Sequence, residues 1–250
     1  MYTYKSSAEL KSLAKGQLLG NYSTSISVFL VYFAISWIIS FVLNFATDTN
    51  SIPGLIMYYV LNIIVTLITA LFTPGIHYFY MNLVSGRPFK VSDVFFGFSY
   101  HPEKTLLLTI INFAIALVCM IPCIILGILY YASKLPILLV LATLLGVIGY
   151  IALTIINLHL AQIYYLMLEF PDYSAVDLLK TSYDLMRGQK FRLFYLQVSF
   201  IPLTLLSLLS CGIGLFWIQP YMYATYTNFY FDLVRGRQST QPQEHINVTV

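Results

Sequence analysis

Six polar side chains stand inside long apolar runs of this sequence and are its candidates for chemistry: His77, Asn157, His159, Gln162, Gln219 and Asn228. Ionisable and amide groups are costly in hydrocarbon, so those kept there bind, conduct or hold helices together. His77 falls in "FTPGIHYFY". Asn157, His159 and Gln162 share "TIINLHLAQIYY", and Gln219 and Asn228 bracket Tyr221, Tyr223 and Tyr226. Read functionally, these residues line a ligand pocket or a pathway, and His77 and His159 form a proton-titrating pair near the inner ends of their runs. The plainer reading makes the amides interhelical glue, worth about 0.6 kcal/mol each, and the histidines and tyrosines residents of the membrane interface. Pro74 and Pro220 lie in two of the same runs. Each removes a helical hydrogen bond and favours a kink, which opens space for a cavity or a hinge.

Enzyme templates find little here. HExxH, GxSxG, a Walker A loop and a glycine-rich dinucleotide fingerprint are all missing from the sequence. No acidic pair lies within an apolar run, and the four histidines, His77, His101, His159 and His245, lack close metal-ligand spacing. No cofactor or metal is expected. A lipid-modifying enzyme would have to be assembled from Asp93, His101, Glu103, Glu169 and Asp172 at the ends of the runs. Cys119 and Cys123 are one helical turn apart, and Cys211 sits in the turn "SCGIG". They read as buried, inert thiols, with a Cys123 to Cys211 bridge as the alternative.

The elements that must position these residues follow from composition. Of 250 residues 59% are apolar and only 9% charged, and mean hydropathy is +0.79, against roughly 25% charged residues in a soluble domain. Apolar runs at about 24–46, 53–84, 105–132, 135–168, 194–210 and 212–234 predict an all-α polytopic membrane protein with six transmembrane helices, the last two short. Twelve of the thirteen Lys and Arg fall in segments 1–23, 85–104, 169–193 and 235–250, leaving Lys134 alone on the other side. The positive-inside rule then places both termini in the cytoplasm. The net charge of +3 reports topology and is no argument for nucleic acid.

Two phrases recur. "FYMNLVSGR" (79–87) and "FYFDLVRGR" (229–237) agree at six of nine positions, and "IYYLMLEFPD" carries a fainter version in Tyr164, Tyr165 and Leu168. Acid-apolar pairs recur every 84 positions at Glu9-Leu10, Asp93-Val94 and Asp177-Leu178, each followed by a glycine before the next run. In the third copy Val176, Leu179, Tyr183 and Met186 form an apolar helical stripe, and in the first Leu10, Leu13, Gln17 and Gly20 do so. The pattern predicts three hairpins, each preceded by a cytoplasmic interfacial amphipathic helix, with pseudo-repeats at about 1–88, 89–172 and 173–238 and a disordered cytoplasmic tail at 239–250.

The segments "ELKSLAKGQLLGNY", "LLKTSYDLMRGQKFRLFYLQVSFI" and "GIGLFWIQPYMYATYTNFYFDL" together resemble the bacterial integral-membrane family called domain of unknown function 975. The resemblance implies a six-helix bacterial inner-membrane protein and brings no activity, substrate or catalytic residue. The expected function is non-catalytic: binding of membrane lipid, another amphiphile or a membrane partner in envelope homeostasis. The alternatives are a small transporter or channel for an amphiphilic or small polar solute, and an interfacial lipid enzyme. Expected partners are membrane lipids, with a membrane protein or a second copy of the chain as a further possibility.

Overall fold

The computed structural model describes residues 2–240, which fold as helices and turns with no strand among them. The helices are α1 Ser7–Leu18, α2 Tyr22–Ala46, α3 Ile52–Ala70, α4 Phe72–Val84, a 3-10 turn at Val91–Phe95 running into α5 Phe96–Ser99, α6 Pro102–Ser133, α7 Pro136–Leu160, α8 Ile163–Glu169, α9 Ala175–Leu185, α10 Lys190–Val198, α11 Ile201–Leu209 and α12 Leu215–Thr240. Among the described residues five stretches are long and apolar enough to cross a bilayer: Tyr22–Phe45, Ile52–Val84, Pro102–Ser133, Pro136–Glu169 and Lys190–Leu209. The shortest has 20 residues, which at 1.5 Å per residue matches a hydrocarbon core of about 30 Å. The chain is a multi-pass membrane protein.

The 26-residue α12 is not one of the five, because tyrosine, threonine, asparagine and glutamine fill it. Burial explains how these residues are tolerated. α12 packs against α1, α2, α4 and α11, and Ala224, Thr225, Thr227, Asn228, Phe229, Tyr230, Asp232 and Leu233 are all buried on it. Its short polar groups bond back to their own helix: Thr225 Oγ1 donates to Tyr221 O at 2.7 Å, Thr227 Oγ1 to Tyr223 O at 2.9 Å and Asn228 Nδ2 to Ala224 O at 2.8 Å. A helix surrounded by other helices has no need of an apolar surface.

The acids spaced by 84 residues have a common local job. Glu9 Oε2 accepts from Ser6 N at 2.6 Å, Asp93 Oδ2 from Lys90 N at 2.9 Å and Asp177 Oδ2 from Ser174 N at 3.3 Å. Each acid stands at the third residue of its helix. Ser6 Oγ and Ser174 Oγ accept in return from the N–H of Glu9 and Asp177, which completes a capping box at each site. The residue after each acid, Leu10, Val94 or Leu178, is buried. After α1 and α9 the chain turns at Gly20 (φ 81°) and Gly188 (φ 79°), a left-handed conformation that a Cβ would strain.

The inward faces of α1 and α9 differ from the stripes expected of them. α1 buries Leu10, Ala14 and Leu18, while Leu13 is 39% exposed; α9 buries Ala175, Leu178, Ser182, Leu185 and the adjoining Met186, while Val176 and Tyr183 are about half exposed. Ala14, Ala175 and Ser182 share these inward faces with Leu10, Leu18, Leu178 and Met186, and the small residues let the two helices lie close to their neighbours. The two nine-residue phrases also part company at their ends. Gly86, at φ 68°, closes α4, whereas α12 runs on past Gly236 through Ser239 and Thr240. The rest of the expected tail, 241–250, lies outside the described residues.

Packing is concentrated at the end of the bundle where α1 and α9 lie. Two buried clusters meet there, one around Tyr165, Met167, Leu178, Leu196, Phe200 and Tyr230, the other around Leu18, Val28, Phe79, Tyr80, Val94 and Ala224. Toward the far end apolar side chains such as Phe45, Val118, Ile128 and Leu209 stand exposed, a surface suited to hydrocarbon. There α6 and α7 pack along one another, so closely at Gly149 that an added Cβ would lie 2.4 Å from Cys119 O. All three cysteines are free, with Cys119 and Cys123 half-buried and Cys211 exposed. Cys123 faces Gly146 on α7, so neither the bridge to Cys211 nor full burial of the thiols holds.

Candidate binding cavity

At the packed end, α1 and the last turns of α4, α8 and α12 converge on a cavity of about 480 Å³. The N-terminal arm and α1 supply Lys5, Leu13 and Gln17. α4 and its exit supply Met81, Asn82, Ser85 and Arg87; α8 supplies Leu168, Glu169 and Phe170; α12 supplies Asn228, Phe231, Asp232, Arg235 and Gln238. The nine-residue phrases explain how this wall is built. Their shared Phe-Tyr and Leu, at Phe79, Tyr80 and Leu83 and at Phe229, Tyr230 and Leu233, are buried in the core. The three positions at which they differ, Met81/Phe231, Asn82/Asp232 and Ser85/Arg235, all face the cavity. The shared Phe-Tyr and Leu fix the helix ends, and the varied positions, with the shared Val84, Val234 and Arg87, shape the space between them.

The floor is a reciprocal amide pair. Asn228 Nδ2 donates to Gln17 Oε1 at 2.6 Å, and Gln17 Nε2 donates to Asn228 Oδ1 and to Val84 O, both at 3.3 Å. Beside it, Asp232 is 2% exposed and accepts from two residues of the N-terminal arm and from α10. Tyr2 OH donates to it at 2.8 Å, Lys5 N at 3.3 Å and Arg192 Nη2 at 2.7 Å. Burial and that hydrogen bond push the Tyr2 phenol up to about 12. Arg192 also donates to Lys5 O and Gln189 Oε1 and lies over the rings of Tyr4 and Phe229. Tyr4 in turn sits where a Cβ on Gly236 would be, 2.2 Å from its ring. Across the cavity the Tyr230 hydroxyl donates to Glu169.

The expected site residues are distributed among separate environments. Asn228 lines the cavity. His77 donates from Nδ1 to Thr73 O at 2.8 Å, as a carbonyl partner requires, and its ring is boxed by Tyr164, Tyr165 and Tyr223, the closest at 4.5 Å. His159 bonds Ile155 O in the same way and stacks on Tyr183 at 4.5 Å. Gln162 is buried against Met186, its Oε1 without a hydrogen-bond partner among the described residues. Gln219 is half-buried and Asn157 exposed. Among the described residues the hydrogen bonds and ring contacts of His77, His159 and Asn228 lead to different partners. The chain breaks between α3 and α4 at Leu71, three residues before Pro74, while α12 continues through Pro220.

The material for an interfacial enzyme is equally scattered: Asp93 caps a turn, His101 pairs with Glu103 at 3.1 Å on the surface, and Glu169 accepts from Tyr230. Among the described residues no three His, Cys, Asp or Glu side chains gather as metal ligands would. Sequence reasoning passed over Lys5, Gln17, Asn82, Arg192 and Arg235. The signal for two of these was in the repeated phrase, in the positions where the copies disagree.

These features define a multi-pass helical membrane protein with a polar cavity at the packed end of its bundle. The chain belongs to the family described as Protein of unknown function (DUF975), whose model matches residues 1–237, every cavity residue but Gln238 included. No curated protein and no solved structure matches it.

Proposed function

We propose that this chain is a non-catalytic bacterial cell-membrane protein that binds an amphiphile, a lipid above all, in the cavity between α1, α4, α8 and α12. The observation that carries the reading is the cavity wall itself, where charged and amide groups meet Leu13, Met81, Leu168 and Phe231 within about 480 Å³, a volume and a chemistry suited to a headgroup and the start of its chain. The arrangement is that of six spans in three repeats, α12 being the sixth. Both termini and the cavity face the cytoplasm, because the end that holds the cavity also holds twelve of the thirteen Lys and Arg. α1 and α9 lie at the interface, with the half-exposed Val176 and Tyr183 turned toward lipid. Transport has less support. The rings of Tyr80, Tyr223, His77, Tyr165 and Tyr230 pack on one another beyond the cavity floor, where a pathway would have to pass.

The test is native mass spectrometry of the protein extracted gently from its own membrane, with Leu13→Trp as the cavity-filling variant. One defined amphiphile per chain, lost from Leu13→Trp, is the expected result. A wild-type protein that arrives bare, or with the same bulk lipid as the filled variant, sinks the reading.

A further inference from the structure

The charges around the cavity do not cancel locally, and the imbalance names a ligand class. Asp232 is consumed by Arg192, Tyr2 and the Lys5 backbone. Glu169 accepts from Tyr230 and feels the charge of Arg87. Two cations are left on the wall, Lys5 and Arg235, and among the described residues neither forms an ion pair. Asn82 lines the same wall. It is 6% exposed, and among the described residues its side chain has no hydrogen bond. A nearly buried amide left open at a cavity, beside a lysine and an arginine, is matched by an acceptor-rich anion. Arginine favours a planar or tetrahedral oxyanion that two N–H groups can grip together.

We propose that the cavity holds an anionic phosphate between Lys5 and Arg235, with Asn82 donating to it, either free in solution or as the headgroup of an anionic phospholipid. This rests on the binding reading above and narrows it to one chemistry. The Gln17–Asn228 pair has its amide donors engaged and forms a fixed floor; the specificity lies in the two cations. Leu13, Met81 and Phe231 receive the glycerol and first methylenes when the phosphate belongs to a lipid. The second phrase carries Arg235 where the first carries Ser85, so the anion sits toward α12.

The experiment uses the full chain in neutral detergent, as wild type, Lys5→Gln, Arg235→Gln and the far-end control Lys134→Gln. Each is mixed with phosphatidylglycerol or phosphatidylcholine in mixed micelles and read by native mass spectrometry, and each is titrated separately with inorganic phosphate and read by thermal midpoint. Wild type and Lys134→Gln should retain one phosphatidylglycerol in preference to phosphatidylcholine, with about a tenfold loss in either cavity variant, as expected for removing one charge-assisted contact. A midpoint raised by inorganic phosphate in wild type and not in Arg235→Gln would assign the site to a soluble phosphate, which also supports the proposal. Equal retention and equal midpoints across all four proteins overturn it. In that event Leu13→Trp separates the two claims: displacement of a neutral amphiphile leaves the binding reading standing, and no displacement removes both.

Discussion

Asp232 shows how one side chain ties distant parts of the sequence together. Its carboxylate is almost fully buried and holds Arg192 at 2.7 Å, and through Arg192 the backbone of Lys5. Asp232→Asn leaves the guanidinium facing a neutral amide, and removing one member of a buried pair costs about 3 kcal/mol; denaturant unfolding in micelles, followed by tryptophan fluorescence, should show it. Arg192→Lys keeps the charge but cannot reach Gln189, Lys5 and Asp232 together, so a loss of about 1.5 kcal/mol is expected. The double variant Asp232→Asn/Arg192→Gln should fall short of the summed single effects, because the second change removes a charge already stranded. Gly236→Ala pits two terms against each other. Alanine favours the helix by about 1 kcal/mol, while its Cβ evicts the Tyr4 ring and with it a cation–π contact worth about 1 kcal/mol. Overall stability should hardly move, yet the first five residues should become open to protease, and unchanged cleavage would count against the Tyr4 seat.

At the scale of elements, the acids of the capping boxes make α1 and α9 responsive to pH. The hydroxyl of Ser6 and its N–H hold the Glu9 carboxyl below its ordinary range, and the Ser174 hydroxyl does the same for Asp177. A carboxyl lowered in the folded state binds fewer protons there than when unfolded. Its stabilisation is therefore complete above the unfolded value, about 4, and disappears as pH falls through the folded value. Amide exchange, corrected for its intrinsic pH dependence, should show residues 7–10 and 175–178 losing protection on acidification while the middle of α6 does not. In Glu9→Gln the α1 response should vanish and the α9 response persist. The spacing of these acids was legible in the sequence, because a cap is local chemistry. The buried faces of the same helices were not. Leu13, Val176 and Tyr183 look like core residues in a list of hydrophobicities, yet Leu13 lines the cavity and Val176 and Tyr183 stay half exposed, while close packing buries Ala14 and Ser182 completely.

For the whole molecule, hydropathy identified the membrane class, and five of the six apolar runs read from the sequence coincide with stretches apolar enough to cross a bilayer, the run at 212–234 falling short. The cavity was beyond its reach, since Lys5, Gln17, Asn82 and Arg235 meet only when four helix ends converge. α12 is where the two levels conflict: the least apolar of the long helices contributes Ala224 to one buried cluster and Phe229, Tyr230 and Leu233 to the other. Its placement is decisive for topology. With the N-terminus in the cytoplasm, five spans put Cys211 outside, and a crossing α12 then returns Ser239 to the inside. A membrane-impermeant maleimide applied to intact cells should label native Cys211, which is exposed. In a Ser239→Cys variant that also carries Cys211→Ser, it should label only after permeabilisation. Labelling of Ser239→Cys from outside would mean that α12 lies along the far surface, so its buried tyrosines and Asp232 would need partners other than α1, α4 and Arg192. Protection would mean that a helix rich in polar groups crosses the bilayer because the protein surrounds it, and that the cavity it lines opens to the cytoplasm.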